Sequence, residues 1–292
     1  MFKGTGTALI TPFNEDYSVD YESLEKNIEI QIKNNISALV ILGTTGESPT
    51  IEDDERREIV KISNEIINKR VPLIIGTGGN NTKKAVRHSK WAEEDGADGL
   101  LVVTPYYNKT TQKGLTEYYS DIANETKLPL IMYNVPSRTG LNILPETAVE
   151  IFEKIKNVVA IKEASGNISQ IAKLTAVKKD DFFVYSGNDD QTIPVMALGG
   201  VGVISVFSNV FPGKMSEITS EMLNGNIKKA QKLNAEYNEI MNELFVEVNP
   251  IPVKYAMAQK KMCKNILRKP LLRLNEAYTE KMNRLLREAD GI

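Results

Sequence analysis

An apolar run that ends in a lysine is the first feature of this sequence that could do chemistry. Residues 158–162 are Val-Val-Ala-Ile-Lys, a pattern typical of a strand that is buried on both faces in a parallel sheet. In a barrel of parallel strands the active site lies at the carboxyl ends of the strands, so Lys162 would lie beside a substrate and partly out of water. Desolvation disfavours the ammonium form of lysine, which favours an amine nucleophile able to form a Schiff base with a ketone. The alternative is that Lys162 is a solvated surface charge at a strand end.

Hydroxyl groups and glycines cluster where the second predicted strand ends. Residues 43–47 have the sequence G-T-T-G-E, and two glycines around Thr44 and Thr45 are typical of a tight loop. The backbone N–H groups of such a loop can converge on an anion, and we expect a substrate carboxylate to bind there. A plain strand-to-helix turn has a similar composition, so the loop alone leaves both interpretations open.

Two tyrosines and an arginine follow other predicted strands. Tyr107 follows the fourth strand, and Tyr133 and Arg138 lie at the end of the fifth. A phenol can relay protons to and from a carbinolamine, and an arginine can bind a carboxylate through two parallel hydrogen bonds. Tyrosines at strand ends are also common packing residues. Because all these side chains lie at carboxyl ends of predicted strands, together with Lys162, we interpret them as one active site at the mouth of a barrel.

The composition argues against several other kinds of site. The single cysteine, Cys263, cannot form an intramolecular disulfide, and the single histidine, His88, cannot supply a multi-histidine metal site. The formal net charge is -2, with charges of both signs interleaved, which predicts no binding of nucleic acid or anionic lipid. No apolar stretch is long enough to span a bilayer, and residues 1–6 lack the pattern of a signal peptide. We therefore expect a cytoplasmic protein that acts on small molecules without a cofactor or a metal.

The elements that would position these residues alternate between short apolar runs and helical periodicity. Eight such units predict a (β/α)8 TIM barrel over residues 1–223, followed by a C-terminal helical domain over residues 224–292. An open doubly wound sheet fits this pattern less well than a barrel does. Such a sheet usually has fewer strands, and its first turn is Gly-rich, which is not the case in this sequence. The predicted strands are residues 7–10, 38–42, 72–75, 100–103, 129–133, 158–162, 182–185 and 201–206.

Seven motifs along the chain carry a resemblance to a known family. In this order they are similar to the dihydrodipicolinate synthase family of the pyruvate-dependent, lysine Schiff-base aldolases. The G-T-T-G-E loop and the strand-borne lysine are shared across those aldolases, whereas the motif around Arg138 is typical of the synthases. The motifs are TGTALITPF (5–13), GTTGES (43–48), GTGGNNT (76–82), TPYYNK (104–109), YNVPSRTG (133–140), IKEASG (161–166) and SGND (186–189).

The resemblance implies how the first substrate is held. Lys162 would form an imine with pyruvate, and the carboxylate of pyruvate would lie against Thr44 and Thr45. The backbone at Gly187 and Ile204 would line the same pocket. The pyruvate enamine would then attack L-aspartate 4-semialdehyde to give 4-hydroxy-tetrahydrodipicolinate, a step of lysine and diaminopimelate biosynthesis.

The resemblance also implies a proton relay and an assembly. Tyr133 would shuttle protons and would be linked through the Thr45 hydroxyl to Tyr107. In this family the second tyrosine comes from a neighbouring subunit, so we expect a homo-oligomer that is at least a dimer, and a tetramer built as a dimer of dimers. Arg138 would bind the carboxylate of the semialdehyde.

One departure from the family concerns regulation. Feedback-inhibited members bind free lysine at the subunit interface with the help of two histidines and a glutamate, close to the residues that are Ser48, Asn80 and Tyr106 here. The matching positions in this sequence are Asp53, Arg56 and Lys84. Two cations would disfavour the ammonium groups of lysine, so we expect inhibition by lysine to be weak or absent.

Three other functions stay open at the level of sequence. One is a related aldolase, such as N-acetylneuraminate lyase, that joins pyruvate to a sugar-like aldehyde, although Arg138 favours an aldehyde that carries a carboxylate. Another is a binding barrel without catalysis, which would be expected to have lost Lys162 or Tyr133. The third is a metal-dependent aldolase, which the single histidine makes a poor match.

Overall fold

A closed barrel of parallel strands forms the centre of the structure. The computed structural model describes residues 1–291, and within them each strand pairs with its neighbour in sequence order until β8 pairs with β1. The predicted (β/α)8 barrel is therefore confirmed. The strands are β1 (Gly4–Ala8), β2 (Ala38–Ile41), β3 (Leu73–Gly76), β4 (Gly99–Val103), β5 (Leu130–Asn134), β6 (Val158–Glu163), β7 (Phe183–Ser186) and β8 (Gly202–Ser205).

The strands are buried on both faces, as their apolar sequences predict. Small and branched side chains such as Ala38, Val40 and Ile131 fill the barrel interior, and a larger core lies between the outer face of the strands and the helices. Closure depends on a glycine, because a Cβ atom at Gly202 would lie 1.9 Å from the carbonyl oxygen of Gly4. Close approach of β8 to β1 thus requires a residue without a side chain.

Helices follow the strands and cover the barrel. One short helix, α5, was not predicted, because its four residues are too few to show helical periodicity. The helices are α1 (Tyr21–Lys33), α2 (Asp53–Ile67), α3 (Thr82–Glu94), α4 (Gln112–Ala123), α5 (Pro136–Thr139), α6 (Pro145–Lys154), α7 (Ile168–Val177), α8 (Thr192–Ala197), α9 (Pro212–Leu223), α10 (Ile227–Glu243), α11 (Ile251–Gln259) and α12 (Glu276–Asp290).

The C-terminal helices α10 to α12 share a hydrophobic core with the end of the barrel. Side chains of the extension such as Tyr237, Val253 and Met282 pack in one cluster with Phe207 and Met215. The division of the chain at residue 224 stays a prediction. Within residues 1–291, no helix is long and apolar enough to cross a lipid bilayer.

A buried ion pair joins the extension to the loop that follows β2. The Lys254 Nζ on α11 lies 2.5 Å from the Glu47 Oε1, and the side chains are 0% and 1% exposed. The other carboxylate oxygen of Glu47 accepts the backbone N–H of Arg268 at 3.0 Å. Lys254 Nζ also donates to the Ile266 carbonyl at 2.9 Å and lies 4.0 Å from the centre of the Phe13 ring. The last residue of the G-T-T-G-E sequence is therefore held by two segments of the extension.

Replacing Lys254 by methionine should destabilise the fold, because Glu47 would remain as a buried, unpaired charge. We expect a loss of about 3–5 kcal/mol in the free energy of unfolding, which is typical when one partner of a buried pair is removed. The double variant with Lys254→Met and Glu47→Gln should recover much of this loss, since no buried charge remains.

Denaturant unfolding followed by circular dichroism measures both changes. Lys264→Met is the matched control. This lysine is half exposed, and its ion pair with Asp20 is long, at 3.9 Å. Its loss should therefore lower the free energy of unfolding by less than about 0.5 kcal/mol. Equal stabilities for the Lys254 and Lys264 variants would contradict the assigned role of the buried pair.

Candidate active site

Lys162 and Tyr133 lie side by side inside the barrel. They are paired in the register between β5 and β6, and cross-strand partners point to the same face of a sheet. The Lys162 Nζ lies 4.3 Å from the centre of the Tyr133 ring, and the residues are 5% and 7% exposed. Among the described residues the Lys162 amine has no hydrogen-bond or ion-pair partner. An amine close to a phenol and largely out of water is thus present where the sequence predicted it.

The loop after β2 places its two threonines differently. Thr45 is buried, at 3% exposure, and its Oγ1 accepts a hydrogen bond from the Asn249 Nδ2 at 2.9 Å. Thr44 is partly exposed and lines a cavity. The amides of Gly46 and Glu47 close the turn by donating to the carbonyls of Gly43 and Thr44 at 3.1 Å each. These two amides are therefore not free to bind an anion, and the prediction of an anion site is limited to the first part of the loop.

Arg138 reaches the same side of the barrel from the short helix α5. The helix begins at Pro136, which suits a first helical position, and ends at Gly140, which has a positive φ of 67°. Arg138 is exposed, and its Nη2 donates to the backbone carbonyl of Asn249 at 3.2 Å. Arg138 lines the cavity beside the site, and a guanidinium has further N–H groups that can bind a carboxylate.

A cavity of about 340 Å³ opens beside these residues. Thr44, Tyr133 and Arg138 line one side of it. Lys162 and Thr45 do not line this cavity. Lys162 lies beside Tyr133, which does line it, and Thr45 follows the lining residue Thr44 in the chain. The far side is lined by Ser48, Arg56, Asn80, Asn81, Lys84, His88 and Tyr106.

The far side of the cavity carries positive charge. Arg56 is 4% exposed and donates to the Gly76 carbonyl at 3.0 Å and to the Ser48 Oγ at 2.7 Å. Burial lowers the pKa of the Arg56 guanidinium to about 10, so it is charged at neutral pH. Burial, followed by the effect of Arg56, lowers the pKa of His88 to about 4, so this imidazole is neutral. Lys84 adds a second cation.

Asp53 offsets the positive charge of this wall only in part. It lies at the start of α2 and contacts the His88 Nε2 at 2.9 Å and the Arg87 Nη2 at 2.7 Å. Its charge is therefore shared with a third cation on the protein surface. His88, the single histidine of the chain, is a buried part of the link between α2 and α3.

Besides Lys162 and Thr45, three further residues predicted for the site do not line the cavity. Tyr107 is 92% exposed, and its backbone has a positive φ of 69°. Within residues 1–291 it makes no hydrogen bond to Thr45, so one chain does not assemble the relay. Ile204 is fully buried in the barrel interior. The Gly187 amide donates to the Glu163 carbonyl at 2.8 Å, and a Cβ atom there would lie 2.4 Å from that of Ala164.

Two buried residues at the site were missed by the sequence analysis. Asp189 follows β7, and its Oδ2 accepts the backbone N–H groups of Val206 and Phe207 at 3.1 and 2.9 Å. Burial raises the pKa of this carboxyl, and its hydrogen bonds hold the end of β8 near Ile204. Asn249, which contacts Thr45 and Arg138, has no predicted role in the sequence analysis. No local pattern indicates either contact.

The described residues offer no ready metal site. Within residues 1–291, no three or more histidine, cysteine, aspartate or glutamate side chains are grouped so that they could hold a metal ion. What the arrangement does provide is an amine, a phenol and a hydroxyl inside a barrel, with an arginine at the opening. These groups suit covalent chemistry on a keto acid through a Schiff base.

Comparison with known proteins places the chain in a family. The family model for the Dihydrodipicolinate synthetase family matches residues 1–289. The 4-hydroxy-tetrahydrodipicolinate synthase of Alkaliphilus oremlandii is 49% identical over 282 residues, which cover 97% of each chain.

Solved structures agree with this assignment. The dihydrodipicolinate synthase from Thermotoga maritima superposes with a TM-score of 0.98 at 45% sequence identity. The superposition covers 100% of both chains. The enzyme from Acinetobacter baumannii, solved as a complex with pyruvate, gives a TM-score of 0.98 at 40% identity, again over 100% of both chains. The chain belongs to the dihydrodipicolinate synthetase family.

Proposed function

We propose that this protein condenses pyruvate with L-aspartate 4-semialdehyde to give 4-hydroxy-tetrahydrodipicolinate, the first product particular to lysine and diaminopimelate biosynthesis. The observation that carries the proposal is the Lys162 amine, 5% exposed and 4.3 Å from the centre of the Tyr133 ring. The names of the relatives and the pyruvate complex of one of them support the same reaction. The protein is a lyase that works in the cytoplasm.

The chemistry proceeds through an imine on Lys162. The amine adds to the keto carbon of pyruvate, and loss of water gives the imine. Removal of a proton from the methyl carbon gives an enamine, whose carbon attacks the aldehyde. The amino group of the semialdehyde then adds to the imine carbon, displaces Lys162 and closes the ring. Tyr133 moves protons in these steps, because a phenol beside the amine can donate to one intermediate and accept from the next.

The other site residues hold the two substrates. Thr44 and Thr45 bind the carboxylate of pyruvate, and the backbone at Gly187 and Ile204 lines the place where pyruvate is bound to Lys162. Arg138 binds the carboxylate of the semialdehyde as it enters. A sugar-like aldehyde offers no carboxylate to the guanidinium, so Arg138 favours the semialdehyde over the substrate of a neuraminate lyase.

Pyruvate consumption by the purified protein tests this function. We expect turnover with aspartate semialdehyde and none with N-acetylmannosamine. Borohydride should trap pyruvate on the wild-type chain and on Lys156→Ala, whose lysine is exposed and precedes β6, but not on Lys162→Ala. Mass spectrometry detects the adduct. Turnover with the sugar alone, or trapping that survives Lys162→Ala, would refute the proposal.

The working unit is a dimer at least, and a tetramer built from two such dimers. Tyr107 lies on the surface of its own chain, with 92% of its area exposed. We propose that it completes the proton relay of the neighbouring subunit by reaching the Thr45 hydroxyl across the interface. This accounts for a tyrosine that is exposed on a loop next to the cavity.

Co-expression of two inactive variants tests whether the site is shared. Tyr107→Phe and Lys162→Ala should each be nearly inactive alone. In a mixed dimer one site has both residues intact, so random pairing should restore about a quarter of the wild-type sites. Assay of the co-purified mixture measures the recovery. If the mixture is no more active than its components, Tyr107 acts within its own chain or not at all.

We further propose that free lysine inhibits this enzyme weakly or not at all. Arg56 and Lys84 lie where an ammonium group would bind, and the Asp53 charge is already paired with Arg87. Like charges in a partly buried site repel at short range.

Initial rates at rising lysine concentration should therefore stay near the uninhibited value through the low millimolar range. Lys84→Glu should increase the sensitivity to lysine, because it replaces a cation by an anion on the cavity wall. Lys83→Glu, on the adjacent exposed residue, is the matched control and should change nothing. Half-maximal inhibition of the wild type at low millimolar lysine would count against this proposal.

A further inference from the structure

Asn249 connects the C-terminal extension to two residues of the site. It lies between α10 and α11 and is 4% exposed. Its side-chain Nδ2 donates to the Thr45 Oγ1 at 2.9 Å, and its backbone carbonyl accepts from the Arg138 Nη2 at 3.2 Å. One residue, 204 positions away from Thr45 in the chain, thus contacts both a relay hydroxyl and the arginine at the opening.

The contact with Thr45 determines how its hydroxyl can be used. A threonine hydroxyl has one proton to donate and two lone pairs to accept with. Because Asn249 donates to the Thr45 Oγ1, the hydroxyl proton is turned away from Asn249 and is free to be donated elsewhere. A hydroxyl in a proton relay must donate to one partner while it accepts from another.

The other side-chain atom of Asn249 points to the same role. The Oδ1 is buried and has no hydrogen-bond partner within residues 1–291. Buried polar atoms without partners are rare in folded proteins and call for an explanation. Of the two polar atoms in the Asn249 side chain, the one with a hydrogen-bond partner is therefore the Nδ2 that donates to Thr45.

The extension is anchored close to this contact. Lys254 lies five residues after Asn249 and pairs with Glu47, which lies two residues after Thr45. The two segments are therefore joined at both positions, and the buried ion pair supports the contact between Asn249 and Thr45.

We propose that Asn249 is a positioning residue for the reaction, which orients the Thr45 hydroxyl as a proton donor through its side chain and holds Arg138 through its backbone carbonyl. The inference rests on the proposed function. Because Asn249 belongs to the C-terminal extension, the inference assigns that extension a part in catalysis. Asn249 would act on proton transfer through Thr45, without contacting the substrate.

Exchange of the pyruvate methyl protons tests the inference without the second substrate. An enzyme that forms the imine and the enamine in deuterated buffer replaces these protons by deuterium, which nuclear magnetic resonance measures directly. Asn249→Ala should slow the exchange by about 10- to 100-fold, which is less than the roughly 10²- to 10⁴-fold contribution of a complete acid–base group, because Tyr133 and Thr45 remain. Borohydride trapping on Lys162 should persist, and the KM for the semialdehyde should change little, because the backbone carbonyl that binds Arg138 is retained.

Asn249→Asp separates orientation from packing. In slightly alkaline buffer the carboxylate can only accept, so it would bind the Thr45 proton and reverse the hydroxyl. The aspartate variant should therefore exchange more slowly than the alanine variant, although it preserves the size and shape of the side chain. A packing role predicts the opposite order.

Asn275→Ala is the matched control in the same extension. Asn275 caps α12 by accepting the backbone N–H of Ala277 at 2.9 Å, so its loss should lower the melting temperature and leave the exchange rate unchanged. The inference would be overturned if Asn249→Ala exchanged the pyruvate methyl protons as fast as this control does. It would also be overturned if Asn249→Asp exchanged them faster than Asn249→Ala. Absence of exchange in the wild type would instead overturn the proposed function, because no enamine would form.

Discussion

The structure of the site depends on the buried ion pair between Glu47 and Lys254. Both side chains are almost fully removed from water, and each alone would be strongly unfavourable there. The pair is satisfied only when α11 lies against the loop after β2. A buried pair of this kind contributes little net stability compared with apolar packing, but it allows one arrangement of the two segments and disfavours others. In this protein that arrangement brings Asn249 to Thr45.

The barrel supplies the second constraint. Parallel pairing puts Tyr133 and Lys162 at the same level of neighbouring strands, so their side chains point into the interior together. Asp189 performs a related task on the other side, where its carboxylate fixes the end of β8 through two backbone amides. The reacting groups are thus placed by strand register, whereas the hydroxyl of Thr45 lies on a loop that strand register does not fix.

Much of this could be predicted from sequence because it depends on local pattern. The run before Lys162 predicted residues 158–162, and the strand is Val158–Glu163. The first strand begins earlier than predicted, at Gly4, because pairing with β8 and β2 imposes extended backbone on glycines that carry no strand signal. The prediction that amides of the G-T-T-G-E loop bind an anion was wrong for Gly46 and Glu47, since those amides close the turn. The role of Tyr107 in a neighbouring subunit was predicted only through the family resemblance, because its expected partners belong to another chain.

The contacts of Asn249 and Lys254 show why the remainder was out of reach. Asn249 lies in the turn between α10 and α11 and Lys254 lies on α11, and each contacts a partner more than 200 positions earlier in the chain. No periodicity or motif links positions so far apart. The division between an N-terminal barrel and a C-terminal extension follows the pattern of strands and helices, but the hydrogen bonds cross it. A segment that lies outside the barrel in sequence therefore contacts a loop of the candidate site, because the Asn249 amide donates to the Thr45 hydroxyl.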